Sequence, residues 1–437
     1  MTPSPTGEGN PNSHLPYKSQ FCIPPKGDRA VRCPNYVKNC INALKEAGYK
    51  AYAVGGAVRD SILGKEPFDW DVTTSAMPEE TLRTFANKRT IPTGLAHGTV
   101  TVLFEENEKT HPVEITTFRV DGEYLDSRHP ESVSFSRELT DDLSRRDFTV
   151  NAMAWNENEG IIDPFEGQKD IENKLIRAVG DPETRFTEDA LRILRAYRFA
   201  AQLAFEIEEK TLVASASCAH LLKKIARERV GAEIKKLLAA PKVSYSLTKM
   251  IENGVWSALF DAPAPKHHQI MELSDTPNGN FAIRLSAIIT GMTDEERDAL
   301  LTSLRLSNAE KKLTLRLCKV KSFDVSALKK DDLGAAARRF LHLWGDIYTE
   351  ATEMLRFFNQ STDSSELLYA IEFEKSKNRC LALADLAVKG SNLLPLCKGD
   401  HKKVGLTLSA LLERVIEDPT LNDKNTLLSL AEKILKT

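Results

Sequence analysis

Two aspartates spaced two apart, in Phe68-Asp-Trp-Asp-Val72, are the first residues whose type and spacing suggest chemistry. Apolar residues alternate with them. This predicts a strand that buries Phe68, Trp70 and Val72 and presents Asp69 and Asp71 side by side, about 7 Å apart. Such a pair repels itself in water but becomes a site for phosphoryl transfer when it holds Mg²⁺. Upstream, Tyr52-Ala-Val-Gly-Gly-Ala-Val-Arg-Asp60 reads as a strand, a glycine turn and a helix. Glycines let a ligand come close to the backbone, and amides at a helix start can receive phosphate oxygens. A lone Asp-x-Asp is also the pattern of a solvated strand face, and a lone Gly-Gly that of an ordinary turn. Their succession at this distance favours the metal site. Glu114, between Val113 and Ile115 on another expected strand, either completes a metal cluster or faces solvent.

Two further clusters carry charge in compact form. Arg145-Arg146-Asp147 places two fixed cations and an acceptor just before the apolar run Phe148 to Ala154, and reads as a ligand site or as a surface salt-bridge cluster. In Thr187-Glu-Asp-Ala-Leu-Arg-Ile-Leu-Arg-Ala-Tyr-Arg-Phe199, a helix is expected to start near Thr187, which would cap it. Glu188 and Asp189 would then lie in its first turn. Asp189 and Arg192 at i and i+3 would be surface neighbours, and spacing alone allows a plain helix-stabilising ion pair.

The elements that must position these residues form two kinds of structure. From Tyr36 to about Trp155 a helix (Val37 to Ala47) mixes with β-branched runs such as Gly98 to Phe104 and Val113 to Thr117, which predicts an α+β unit. Beyond Asp181 long amphipathic segments rich in Leu, Ala, Lys, Arg and Glu predict an all-helical remainder, with breaks near Ala240-Pro241, Asp261 to Pro265 and Ser361 to Ser365. Residues 1–34 are proline-rich and polar and read as a mobile extension.

With 437 residues the chain is long enough for two to four domains. No apolar run approaches a membrane span and no signal-peptide pattern opens the chain, so the expected location is cytoplasmic. The 7 cysteines are scattered without a Cys-x-x-Cys pair, which predicts reduced thiols rather than zinc. A net charge of −3 excludes a globally basic nucleic-acid binder, so any RNA contact rests on local patches. The best are Lys223 to Arg229 with Lys235-Lys236, and Lys398 to Lys403; each is equally a solvated helix face.

Gly55-Gly56-Ala-Val-Arg-Asp60 followed by Asp69-Trp-Asp71 resembles the nucleotidyltransferase superfamily of polymerase-β type. Arg145 to Met153 and Thr187 to Phe199 resemble motifs of class II tRNA nucleotidyltransferases, strongly over residues 36–240 and weakly at Val388 to Leu393 and Leu421 to Asn425. The resemblance implies a polymerase-β-type head of mixed sheet and helices (35–175), a base-recognising neck (176–240), a helical body (241–360) and a helical, tRNA-binding tail (361–437). It implies addition of C, C and A to the 3′ end of tRNA from CTP and ATP, without a template and with release of pyrophosphate. Asp69 and Asp71 would hold Mg²⁺. Gly56 and Arg59 would serve the triphosphate, Arg146 the nucleotide, and Asp147 the ribose 2′ hydroxyl. Asp189 and Arg192 would read the base, with Glu188 steering Arg192 and with Arg195 and Arg198 as further nucleotide contacts.

Base reading of that kind has a physical basis. Cytosine and adenine both present an amino donor beside a ring-nitrogen acceptor, which an Asp acceptor next to an Arg donor satisfies; guanine and uracil present the reverse order and leave buried polar groups mismatched. The polar stretch Phe118 to Pro130 reads as a loop beside the site or as a bland surface loop, and the resemblance ties it to addition of the final A. Other readings are an enzyme adding only A, a poly(A) polymerase, and an inactive RNA-binding protein on the same scaffold. Nothing in the pattern sets an oligomeric state.

Overall fold

The computed structural model describes residues 31–121, 133–273, 280–321, 323, 333–358, 362–377 and 379–436. Two compact units divide between Gly180 and Asp181.

The first unit is built on a mixed seven-stranded sheet. Its strands are β1 (Ala51–Val54), β2 (Asp71–Thr74), β3 (Thr90–Gly94), β4 (Thr99–Glu106), β5 (Lys109–Thr117), β8 (Ala154–Asn156) and β9 (Gly160–Ile162), while β6 (Arg119–Asp121) and β7 (Val133–Phe135) form a separate hairpin. The strand order is β3-β4-β5-β2-β1-β8-β9, with β2 and β5 parallel and their other neighbours antiparallel. β1 is buried along its whole length, as a central strand must be. Helices α1 (Asn35–Glu46), α2 (Gly56–Ile62), α3 (Pro78–Thr84), α4 (Leu139–Ser144) and α5 (Gly167–Asn173) accompany the sheet. On α1 the residues Val37, Cys40, Ile41 and Leu44 repeat at helical spacing and are all buried.

One sequence expectation fails here. β2 begins only at Asp71, whose ladder partners are Val54 and Glu114, so the residues before it have no strand geometry to enforce alternation. Trp70 and Val72 are buried as expected, but Phe68 is 95% exposed.

The second unit is helical. It opens with α6 (Pro182–Glu188), α7 (Leu191–Leu203), α8 (Glu209–Ser217) and α9 (Arg227–Leu238) and continues through helices to Ile434. α7 is buried on nearly all sides, which makes it the axis of this region. α9 packs tightly against the turn at Leu304: a Cβ on Gly231 would lie 2.1 Å from the Leu304 carbonyl oxygen. Near the C-terminus Leu386, Val388, Leu393, Leu411, Leu412 and Leu427 belong to a core of their own.

The helix expected to start at Thr187 is in fact two. Asp181 caps α6, accepting from Thr184 N at 2.8 Å, and Pro182 takes the first helical position. Thr187 lies in the last turn and donates to the Glu183 carbonyl at 2.8 Å. Asp189 is extended (φ −138°, ψ 101°), and its Oδ1 accepts from Leu191 N at 3.1 Å, so it breaks α6 and starts α7. A short acidic side chain that competes for nearby backbone amides is the physical cause.

Candidate active site

In the first unit, parallel pairing sets Asp71 directly opposite Glu114, and Glu114 in turn opposite Thr101 on β4. Asp69 precedes them on the approach to β2. All three carboxylates are exposed. Among the described residues none has a side-chain hydrogen bond or an ion pair, and no three acidic, His or Cys residues close into a ready-made metal cage. The surrounding protein partly excludes water from Asp71 and raises its pKa above the usual carboxylate range. Arg146 opposes this, and Glu114 and then Asp69 add to it. A cation between these oxygens would relieve both the repulsion and the raised pKa, so the donor set fits a hard divalent ion.

The basic side of the site is built on the turn after β1. Gly55 has φ 75°, a conformation that suits glycine, and Arg146 Nη1 lies 3.1 Å from where its Cβ would be. Arg146 Nη2 donates to Asp142 Oδ2 at 3.1 Å, while its Nε is buried without a partner. Arg59 does not face a phosphate site openly. It is 7% exposed, bonded to Asp60 at 2.8 Å and to Asn151 Oδ1. Asn151 Nδ2 donates onward to Asp147 Oδ1 at 3.0 Å, and the same oxygen accepts from Phe148 N at 2.8 Å. Arg59 thus supports Asp147 through Asn151. The sequence reading missed Asp60, Asn151 and Asp142. The spacing of Asp142 to Arg145 and Arg146, i to i+3 and i+4, was an available signal for the last.

In the second unit, Arg192 Nη1 donates to Glu188 Oε2 at 2.5 Å and to the Arg185 carbonyl at 3.2 Å. Glu188 also pairs with Arg185 at 2.5 Å. Glu188 thus bonds both Arg192 and Arg185. Asp189 Oδ2 accepts from Arg229 Nη2 at 2.8 Å, a partner on α9 that no spacing rule reveals. Arg195 lies 5.2 Å from the Phe199 ring centroid. Arg198 is buried against α9, donating to Glu233 Oε2 at 2.5 Å and to Gln202 at 2.7 Å.

The expected RNA patches are reduced by internal pairing. Arg227 caps Leu259, Arg229 is taken by Asp189, and Lys235 pairs with Glu310 at 2.6 Å, leaving Lys223, Lys224 and Lys236 exposed. Lys398, His401, Lys402 and Lys403 are all exposed. Of the stretch Phe118 to Pro130, residues 122–130 lie outside the described residues.

Comparison with known proteins places this geometry. Residues 51–177 match the family model "Poly A polymerase head domain", and residues 204–269 match "Probable RNA and SrmB- binding site of polymerase A". A CCA-adding enzyme of Levilactobacillus brevis is 49% identical over 216 residues, a segment spanning about half of each chain (49% and 53%). One from Streptococcus pyogenes serotype M3 is 36% identical over 410 residues, 91% of this chain and 96% of that protein. The chain belongs to the CCA-adding enzyme family. As such it is a nucleotidyltransferase of a family that is generally metal-dependent. The crystal structure of the Bacillus stearothermophilus CCA-adding enzyme in complex with CTP shares 29% identity and superposes with a TM-score of 0.73 over 92% of this chain and 97% of that one. This agrees with a mixed-sheet head followed by helices. No helix among the described residues is long and apolar enough to cross a membrane.

Proposed function

We propose that this member of the CCA-adding enzyme family adds C, C and A to the 3′ end of tRNA from CTP and ATP, releasing pyrophosphate, and that it works in the cytoplasm with Mg²⁺. The observation that carries the reading is the pair Asp71 and Glu114, side by side on parallel strands with no cation bonded to either among the described residues. Mg²⁺ held by Asp69 and Asp71 would lower the pKa of the primer hydroxyl and neutralise charge on the pyrophosphate. Whether Glu114 ligates the ion directly or shapes the field beside it, its charge raises Asp71 in the absence of metal.

The chain's own residues supply the positioning. The Gly55-Gly56 turn lets the triphosphate approach the backbone, and Arg146, with an unpartnered buried Nε, offers it a donor. Asp147, oriented by Asn151 and Arg59, accepts from the ribose 2′ hydroxyl, a contact that a deoxynucleotide cannot make. Asp189 accepts from the amino group and Arg192 donates to the ring nitrogen common to cytosine and adenine, while Arg195 and Arg198 support the nucleotide from α7. Residues 35–175, 176–240, 241–360 and 361–437 are assigned as head, neck, body and tail, with Lys398 to Lys403 among the tRNA phosphate contacts.

Extension of tRNA lacking its CCA end, with CTP and ATP supplied separately and together, tests this reading. Three added residues support it. A long A tail would instead make the chain a poly(A) polymerase, and addition of A only to tRNA ending in CC would make it a dedicated A-adding enzyme. No addition at all would favour the inactive RNA-binding alternative. Deletion of Val120 to Arg128 is expected to spare CTP addition and to cut ATP addition by at least about tenfold, as for loss of an element needed at one step only. An equal loss with both nucleotides would make that segment a general structural part.

A further inference from the structure

Asp142 bears on the active site although no motif singled out in the sequence includes it. Its side chain is wholly buried, and it accepts hydrogen bonds from Arg145, Arg146 and Thr73. Oδ1 accepts from Arg145 Nε at 3.0 Å and Nη2 at 2.7 Å. Oδ2 accepts from Arg146 Nη2 at 3.1 Å and from Thr73 Oγ1 at 3.2 Å. Thr73 lies two residues beyond Asp71 on β2, and its one hydroxyl proton is shared with the Thr116 carbonyl on β5, 3.1 Å away. Asp142 therefore ties the carboxylate-bearing strands to the guanidinium that reaches across Gly55.

Two fixed cations around one carboxylate leave a net positive charge. A carboxylate withdrawn from water persists as the anion only when it is paired and its lone pairs are filled, and Asp142 satisfies both conditions. Burial works to raise its pKa, but Arg146 and Arg145 outweigh burial and hold it below the ordinary carboxylate range. One corner of the Arg146 fork is thereby spent on Asp142. The rest of the fork is fixed in place, with Nη1 against the Gly55 turn and the Nε donor unpartnered.

We propose that Asp142 is a positioning residue for nucleotidyl transfer: anchored by Thr73, it fixes the Arg146 guanidinium at the Gly55 turn so that its remaining donors meet the triphosphate. The proposal rests on the reading of this unit as the nucleotidyl-transfer site. It assigns to Asp142 no contact with substrate. Its effect passes through Arg146, and that is what separates it from a carboxylate that merely stabilises the fold.

The test is steady-state extension of tRNA by the full chain, with kcat and KM for CTP and ATP and the thermal midpoint measured for Asp142→Asn, Thr73→Val, Thr73→Ser, Arg146→Ala and the double variants with Arg146→Ala. Asp142→Asn is expected to raise KM for both nucleotides by about tenfold or more, with a smaller change in kcat, and to add little on the Arg146→Ala background, as for two groups acting as one unit. Thr73→Val keeps the side-chain volume and is expected to raise KM by a few-fold, with Thr73→Ser restoring it. Should Asp142→Asn fail to fold, the Thr73 pair read against Arg146→Ala decides the matter. If Arg146→Ala raises KM while Asp142→Asn and Thr73→Val do not, or if their effects add in full to that of Arg146→Ala, the positioning role is overturned and the site reading stands. If Arg146→Ala itself leaves KM unchanged, Arg146 does not serve the nucleotide and both ideas fall.

Discussion

The charges of the first unit and those of the second are prepared for ligands in opposite ways. Around β2 and β5, Asp69, Asp71 and Glu114 have no counter-charge bonded to them, and Asp71 is harder to ionise because the protein partly withdraws it from water and Glu114 and Asp69 lie nearby. Around α6 and α7, Asp189 is already bonded to Arg229, and Arg192 to Glu188. The first arrangement stores repulsion that a bound cation or a proton relieves. The second is internally paired and holds its side chains in fixed directions, which suits the proposed role of distinguishing hydrogen-bond patterns. Function and stability should therefore separate in the first unit and stay coupled in the second.

The largest effect is expected at the carboxylates. Asp69→Ala or Asp71→Ala should abolish nucleotide addition at saturating Mg²⁺ while the metal-free protein keeps its thermal midpoint; more than about a tenth of wild-type activity in both variants would sink the metal assignment. The stability arm has a sign. The folded pKa of Asp71 is raised, so its contribution is fully present below the unfolded carboxylate pKa and is lost as pH rises through the folded value. At neutral pH the ionised group is a burden, and Asp71→Asn should leave the metal-free protein as stable as wild type or more so. A lower midpoint would contradict the stored repulsion.

At the helical site, Asp189→Ala and Arg192→Ala should each lower discrimination against UTP and GTP by about 1–3 kcal/mol or stop turnover, and here stability should fall as well. Asp189→Ala frees Arg229 and removes an acceptor from Leu191 N, a combined loss of about 1–2 kcal/mol by thermal or urea unfolding. Selectivity and midpoint both unchanged would refute the coupling. Gly231→Ala, away from both sets of charges, forces a methyl against the Leu304 carbonyl and should cost about 1–3 kcal/mol of stability while leaving nucleotide selectivity intact. Altered selectivity there would show that α9 transmits strain to Asp189. The smallest effect is expected for Phe68→Ala, within about 0.5 kcal/mol of wild type in stability because the ring is 95% exposed. A larger loss would mean that Phe68 packs against something in solution.

Legibility of the sequence followed the range of the interactions. The β1 strand and glycine turn, the strands at β4 and β5 and the helical remainder were readable because each rests on local periodicity and turn chemistry. Phe68 was misplaced because alternation holds only where a ladder partner exists, and pairing starts at Asp71. The start of α7 was misplaced because Asp181 and Pro182 made a stronger local start upstream and Asp189 interrupted the helix.

By itself the sequence determined which residues could do chemistry: an Asp-x-Asp after a glycine turn, an Arg-Arg-Asp cluster and an acidic-basic pair opening a helix, since these depend on residue type and spacing along one chain. Only the tertiary structure decided which of them are partners. Strand register put Glu114 beside Asp71, the packing of α7 and α9 gave Asp189 to Arg229 and Arg198 to Glu233, and the approach of α4 to β2 gave Thr73 and Arg146 a common anchor in Asp142. Apart from Asp142 with Arg146, these contacts join residues tens of positions apart, and they form where burying a charge without its partner costs more than ordering the chain to supply one.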